Sequence, residues 1–140
     1  MGTRSVSLLL ALLAVFCVCG TGAAEGAAEE ELAPGYGQCM DKAQTTSDYV
    51  ECADEAFCYW DAILNENYQR IMKQCPYDTD EACAAYVGKL REAERAWLRY
   101  RDATAGFLSQ KLGGTYDRVE ASLFAAEATR AQALLLAAPE

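Results

Sequence analysis

Between Tyr49 and Cys75 the apolar residues return every three or four positions. Tyr49, Ala53, Phe57, Trp60, Leu64, Tyr68, Ile71 and Cys75 fall on one stripe of a helix. Thr46 or Ser47 can cap its start, and Pro76 stops it, because proline lacks the N–H and restricts the residue before it. The spacing predicts a first helix over 47–74, about 40 Å long. Asp78 with Glu81 three residues on has the capping-box pattern, and acidic residues there suit the helix dipole. Cys83, Tyr86, Val87, Leu90, Ala93, Trp97, Arg101 and Leu108 then carry a second stripe, which Gly113-Gly114 ends. Thr115 can cap a third helix, with Val119, Leu123, Ala126, Arg130 and Ala133 in phase and the run Leu134-Leu135-Leu136 before Pro139. No window alternates as a strand does. Short connections make consecutive helices antiparallel around a shared core. The expected fold is all-α: a small antiparallel three-helix bundle over residues 39–137.

The first residues follow a different pattern. Arg4 precedes a 12-residue apolar run, Leu8 to Cys19, and then small residues up to Ala24. This is the layout of a secretory signal peptide over residues 1–24. The run is too short for a membrane span, which takes about 20 residues. Phe16 and Val18 stand before Cys17 and Cys19, where lipid attachment would want a small residue, so a lipoprotein is not expected. Residues 25–38 are Ala, Gly and Glu with one Pro, and read as a flexible acidic linker. The run Glu29-Glu30-Glu31 reads as a solvated tail before it reads as a calcium or partner patch. The protein is expected to be exported, to a periplasm or outside the cell.

Composition narrows the chemistry. The 140 residues include no His, so no Ser-His-Asp or Cys-His pair and no His-held zinc or haem can form. With 12 Lys plus Arg against 21 Asp plus Glu, the formal charge is −9, which argues against nucleic acid. Loss of Arg4 with the leader would take it to −10. No cofactor and no metal are expected.

Removing residues 1–24 leaves Cys39, Cys52, Cys58, Cys75 and Cys83. An exported protein can use them as disulfides, and no C-x-x-C pair favours a metal. Cys52 and Cys58 are six apart on one helix, about 9 Å of rise, whereas a disulfide wants its Cα atoms within about 7 Å. Cys75 and Cys83 flank the Pro76-Tyr77-Asp78 turn, where two antiparallel helices come together, and are expected to pair. Cys39 then folds back onto Cys52. Cys58 is left as a buried thiol on the apolar face or as a bridge between two copies. A Cys39–Cys58 bridge with Cys52 free is the remaining arrangement.

The run from Cys39 to Leu134 resembles the LprI-like lysozyme-inhibitor family of secreted bacterial proteins. Cys39, Thr45-Thr46 and Cys52 match the opening of its pattern. Asp61, Leu64, Asn65 and Tyr68 match Asp, two residues, Leu-Asn, two residues, Tyr. Leu90, Trp97 and the pair Arg101-Asp102 follow on one helix, then the turn Gly113-Gly114-Thr115, then Thr129-Arg130 and Leu134. Many members carry a Cys just after the Arg-Asp pair and another in the last helix. Here Ala103-Thr104-Ala105 and Leu123-Phe124-Ala125 stand in those places. The resemblance implies a non-catalytic protein whose partner is a cell-wall hydrolase, a c-type lysozyme or muramidase.

The marked polar residues read first as structural. Arg130 is in phase with apolar neighbours, and Asp61, Asp102 and Glu94 flank the other stripes. A charge inside a bundle needs a partner, so an Arg130–carboxylate clasp fixing helix register is expected, with a ligand-gripping pocket as the functional reading. Asn65 and Tyr68 read as internal hydrogen bonders, and Trp60 and Trp97 as core. Paired carboxylates such as Asp61 with Asp102 or Glu94 could do acid–base work, but three helices of this size leave little room for a deep cleft, so no enzyme is expected. The acidic charge suits a cationic lysozyme-type hydrolase as partner. The other function class is an envelope interaction module, with Cys58 joining two copies.

Overall fold

In the computed structural model, residues 31–137 are described. The expected leader and residues 25–30 of the expected linker lie outside the described residues. The chain is all-α, with three long helices and one short one: α1 (Tyr36–Lys42), α2 (Thr46–Lys73), α3 (Asp80–Leu108) and α4 (Tyr116–Leu135). The short helix falls where the sequence predicted linker and the family pattern's first Cys. Glu31 makes it possible. Its carboxylate accepts hydrogen bonds from the N–H groups of Gly35 and Gly37, and Gly35 takes φ 82° at the helix start. Leu32 and Ala33 then pack on α2 and α4, against Ala56 and Ala126. The indole N–H of Trp60 donates to the Leu32 carbonyl at 2.6 Å. Residues 31–38 are therefore part of the folded body, held by Leu32, Ala33 and Tyr36.

Cys39–Cys52 ties α1 to α2, and Cys75–Cys83 closes the α2–α3 turn. Both match the spacing argument. The caps sit one residue away from their expected places. Thr45, in extended conformation, accepts from the Asp48 N–H, and the Asp48 carboxylate accepts from the N–H groups of Thr45 and Gln44 at 2.9 Å. Thr79, not Asp78, caps α3 by accepting from the Ala82 N–H. Thr115 has helical dihedrals and makes no side-chain cap. Asp117 braces that turn instead. It is 2% exposed, and its Oδ2 accepts from the Leu112 and Gly113 N–H groups at 2.7 and 2.8 Å. Gly113 takes φ 73°, a conformation that favours glycine, so the Gly-Gly turn is bound to the start of α4.

α4 is the central element. It runs parallel to α2, since Trp60 lies against Arg130, Asn67 donates to the Ala133 carbonyl and Arg70 to the Leu136 carbonyl. It runs antiparallel to α3, with Gln132 on Glu94, Thr129 on Arg101 and Glu120 on Lys111. The α2–α4 seam is lined by small buried residues: Ala53 and Ala56 on one side, Ala126 and Ala133 on the other. Side chains this small let the backbones approach closely. Direct contact between α2 and α3 is slight, so the three long helices do not share one core equally. α3 contributes a single buried residue, Glu94. Trp60 and Trp97, expected in the core, are half-buried.

Two outcomes follow from this packing. Ala126→Leu forces the seam apart and lowers unfolding free energy by about 1–3 kcal/mol, measured by denaturant unfolding. Asp48 is held below the ordinary carboxylate range by the Gln44 and Thr45 backbone N–H groups. Its folded pKa is depressed, so its contribution is full above the ordinary value and lost as pH falls through the folded one. Acid titration of the Asp48→Asn variant, followed by circular dichroism, should therefore show less loss of stability between neutral pH and pH below 3.8 than the parent shows.

Candidate functional site

On α2, Asp61, Leu64, Asn65 and Tyr68 are spaced i, i+3, i+4 and i+7, which puts them on one helix face. That face looks across to α3. Because α2 and α3 barely touch, the space between them is a groove of about 280 Å³, lined by these four residues and by Arg91, Glu94, Arg95, Trp97 and Leu98. Five of the family-pattern residues named from sequence are thus brought together: the four on α2 and Trp97.

The polar groups of the groove are held in place by their own bonds. The Asn65 amide donates to the Asp61 carbonyl at 2.8 Å and to its Oδ2 at 2.9 Å. Glu94, 9% exposed, accepts from the Gln132 amide of α4. Leu64, 5% exposed, is the apolar floor, and Trp97 and Tyr68 are half-buried beside it. Arg91 and Arg95 are exposed on the α3 side. The groove therefore has an apolar base, fixed carboxylates and a basic edge, a composition suited to recognising another molecule.

Behind it lies a clasp of the bundle centred on Arg101. The Arg101 side chain is 12% exposed. Its guanidinium bonds the Asp102 carboxylate at 2.9 Å and reaches the Thr129 hydroxyl at 3.5 Å. It also lies 5.0 Å from the Trp97 ring centre and 5.2 Å from that of Phe57. One side chain of α3 thus contacts both α2 and α4. Thr129 is fully buried and donates to the Ala125 carbonyl at 2.7 Å. Arg130 lies over Trp60 at 5.5 Å, on the side of α2 that carries Leu32. The carboxylates expected for it are engaged elsewhere: Asp61 with Asn65, Asp102 with Arg101, Glu94 with Gln132.

The remaining marked residues are not at the groove. Gly113, Gly114 and Thr115 form the exposed α3–α4 turn, and Leu90 is half-buried one turn before Glu94. Cys58 is a free thiol and is exposed, not buried on the apolar face as one reading had it. It shares a shallow acidic surface with Glu51, Asp54 and Glu55. Helical phase explains this, since Cys58 follows the stripe residue Phe57 by one position and turns about 100° away. Among the described residues no group of three or more His, Cys, Asp or Glu side chains is placed to hold a metal ion. None of their helices is long and apolar enough to cross a membrane. Arg91, Arg95, Leu98, Gln132 and Asp117 were not singled out from sequence. The i, i+4 spacing of the two arginines was the available signal; Gln132 and Asp117 gave none.

Thr129→Val tests the clasp. It removes the hydroxyl that faces Arg101 and should cost about 1–3 kcal/mol in unfolding free energy, with a change in Trp97 fluorescence as the guanidinium shifts.

The sequence profile of the family described as lysozyme inhibitor LprI matches residues 39–136. A protein of Rhizobium meliloti (strain 1021), described only as uncharacterised, is 35% identical over 98 residues, which cover 64% of this chain and 69% of that protein. No solved structure matches.

Proposed function

Because the chain belongs to the lysozyme inhibitor LprI family, we propose that it is an exported protein that inhibits a lysozyme-type cell-wall hydrolase by binding it, without catalysis. The observation that carries this is the extent of the match: residues 39–136 take in both disulfides and all of α2, α3 and α4. Three features support it. A body braced by two disulfides and a clasp is rigid, and rigid surfaces bind at low entropic cost. The formal charge of −9 favours encounter with a cationic hydrolase. The groove between α2 and α3 offers a surface with fixed polar groups. The apolar leader over residues 1–24 and the two disulfides are in keeping with a periplasmic or extracellular location.

A second reading rests on the exposed thiol of Cys58: an envelope interaction module in which two copies are disulfide-linked. It requires a band at twice the monomer mass on a non-reducing gel, absent from Cys58→Ser.

The inhibitor reading is tested by mixing the oxidised protein with c-type lysozyme and following lysis of cell-wall suspensions at low and high salt. The expected result is stoichiometric inhibition that weakens as salt rises, because exposed charges are screened beyond about 10 Å at 0.1 M. Unchanged lysis at tens of micromolar, with helicity intact, would sink the reading for this enzyme class.

A further inference from the structure

α3 meets the rest of the protein along a narrow line. Leu90, Glu94, Trp97, Arg101, Thr104 and Leu108 are at least half-buried, while the positions between them are largely exposed. A Cβ added at Gly88 or Gly106 would meet nothing within 4 Å. The helix therefore stands out from the body as a ridge. Five of the chain's 12 basic residues lie on it: Lys89, Arg91, Arg95, Arg99 and Arg101. Arg101 is used in the clasp. Arg91, Arg95 and Arg99 are exposed, one helical turn apart, around a shallow concavity that Gly88 and Glu92 also line. The ion pairs found among the described residues are Arg101–Asp102 and Lys111–Glu120, so none of these three arginines takes part in one.

A row of unpaired arginines on a protein of charge −9 is a local inversion of sign. It calls for a partner that presents carboxylates or phosphates to a projecting helix. The inhibitor reading, on which this inference rests, supplies such a partner. A retaining glycan hydrolase of the lysozyme type uses two carboxylates, set about 5–5.5 Å apart across the scissile bond. Residues four apart on a helix are about 6 Å apart along its axis. Arginine side chains are long enough to converge from that spacing on two neighbouring carboxylates. We infer that the Arg91–Arg95–Arg99 row of α3 docks in the substrate cleft of the hydrolase and pairs with its catalytic carboxylates. The acidic remainder of the surface would face the basic rim of the enzyme. Inhibition would then come from occupying the two groups that do the chemistry, and it needs no bond to form or break.

The experiment replaces the row by Arg91→Glu, Arg95→Glu and Arg99→Glu together, with Lys42→Glu as a control on α1. Each variant is checked for helicity and titrated against c-type lysozyme. Charge reversal takes the net charge from −9 to −15, so long-range attraction to a cationic enzyme alone would tighten inhibition. Docking through the row predicts the opposite: at least 100-fold weaker inhibition for the triple variant, and a change under threefold for Lys42→Glu. A lysozyme in which the catalytic glutamate is changed to Gln should also bind the parent protein at least tenfold more weakly. A triple variant that inhibits as well as the parent overturns the inference and leaves the inhibitor reading standing. A parent protein that does not inhibit lysozyme removes both. In that case the row is assayed on vesicles of phosphatidylcholine and phosphatidylglycerol. Binding that the triple variant loses would assign the row to a membrane surface, again overturning the inference.

Discussion

One guanidinium holds the three long helices in register. Arg101 is nearly buried, yet its charge is satisfied by Asp102, its immediate neighbour, whose own side chain is 66% exposed. The pair therefore avoids most of the desolvation penalty of a buried ion pair. The faces of the guanidinium are left for Trp97 and Phe57, and its remaining edge for Thr129. Such contacts are directional, so they tolerate sliding of α3 along α4 much less than apolar packing does. The Gln132–Glu94 bond about two turns away repeats the constraint at a second level. Two polar contacts at different heights set both the register and the orientation of α3.

That polar anchoring compensates for what the alanines do elsewhere. Ala53, Ala56, Ala126 and Ala133 bring α2 and α4 together, and buried surface concentrates at that seam. α3 is left to pack mainly on α4, with only Glu94 among its residues buried. A fully shared core would have closed the space between α2 and α3. Instead it stays open as the groove, and Arg91 and Arg95 on its α3 edge continue into the exposed arginine row. Both surfaces that could meet a partner are consequences of one asymmetry in side-chain size.

The charge distribution follows the same division. Acidic residues such as Glu51, Asp54 and Glu55 are spread on α2, where Cys58 is also exposed. α3 carries five basic and five acidic residues, and three of its arginines, Arg91, Arg95 and Arg99, share one exposed concavity. A body that is acidic as a whole, with a basic row on its most projecting helix, can be attracted by one sign and seated by the other. The disulfides serve this arrangement at the ends, one holding α1 against α2 and one closing the turn from which α3 departs.

Much of this was legible before any coordinates. Apolar spacing located the three long helices to within a few residues, because a stripe every three or four positions has one regular solution. Loop length paired Cys75 with Cys83 and helical rise excluded Cys52–Cys58, since covalent reach is a local quantity, while the fold chose Cys39–Cys52 over Cys39–Cys58. The pattern Asp61, Leu64, Asn65, Tyr68 was visible as one helix face for the same reason. What a face meets is not local. Periodicity did not show that α2 would pair with α4 and stand apart from α3, nor that Arg101 would bind α3 to both. Composition hid α1 and the packing of Leu32 and Ala33, because two apolar residues acquire value only when a complementary surface exists. The caps moved by a residue because capping depends on φ and ψ, which neighbouring turns and disulfides set. The sequence by itself determined the three long helices, the Cys75–Cys83 staple and the sign of the net charge. The tertiary structure alone decided which faces close and which remain open, because that choice depends on how closely particular helix pairs can approach.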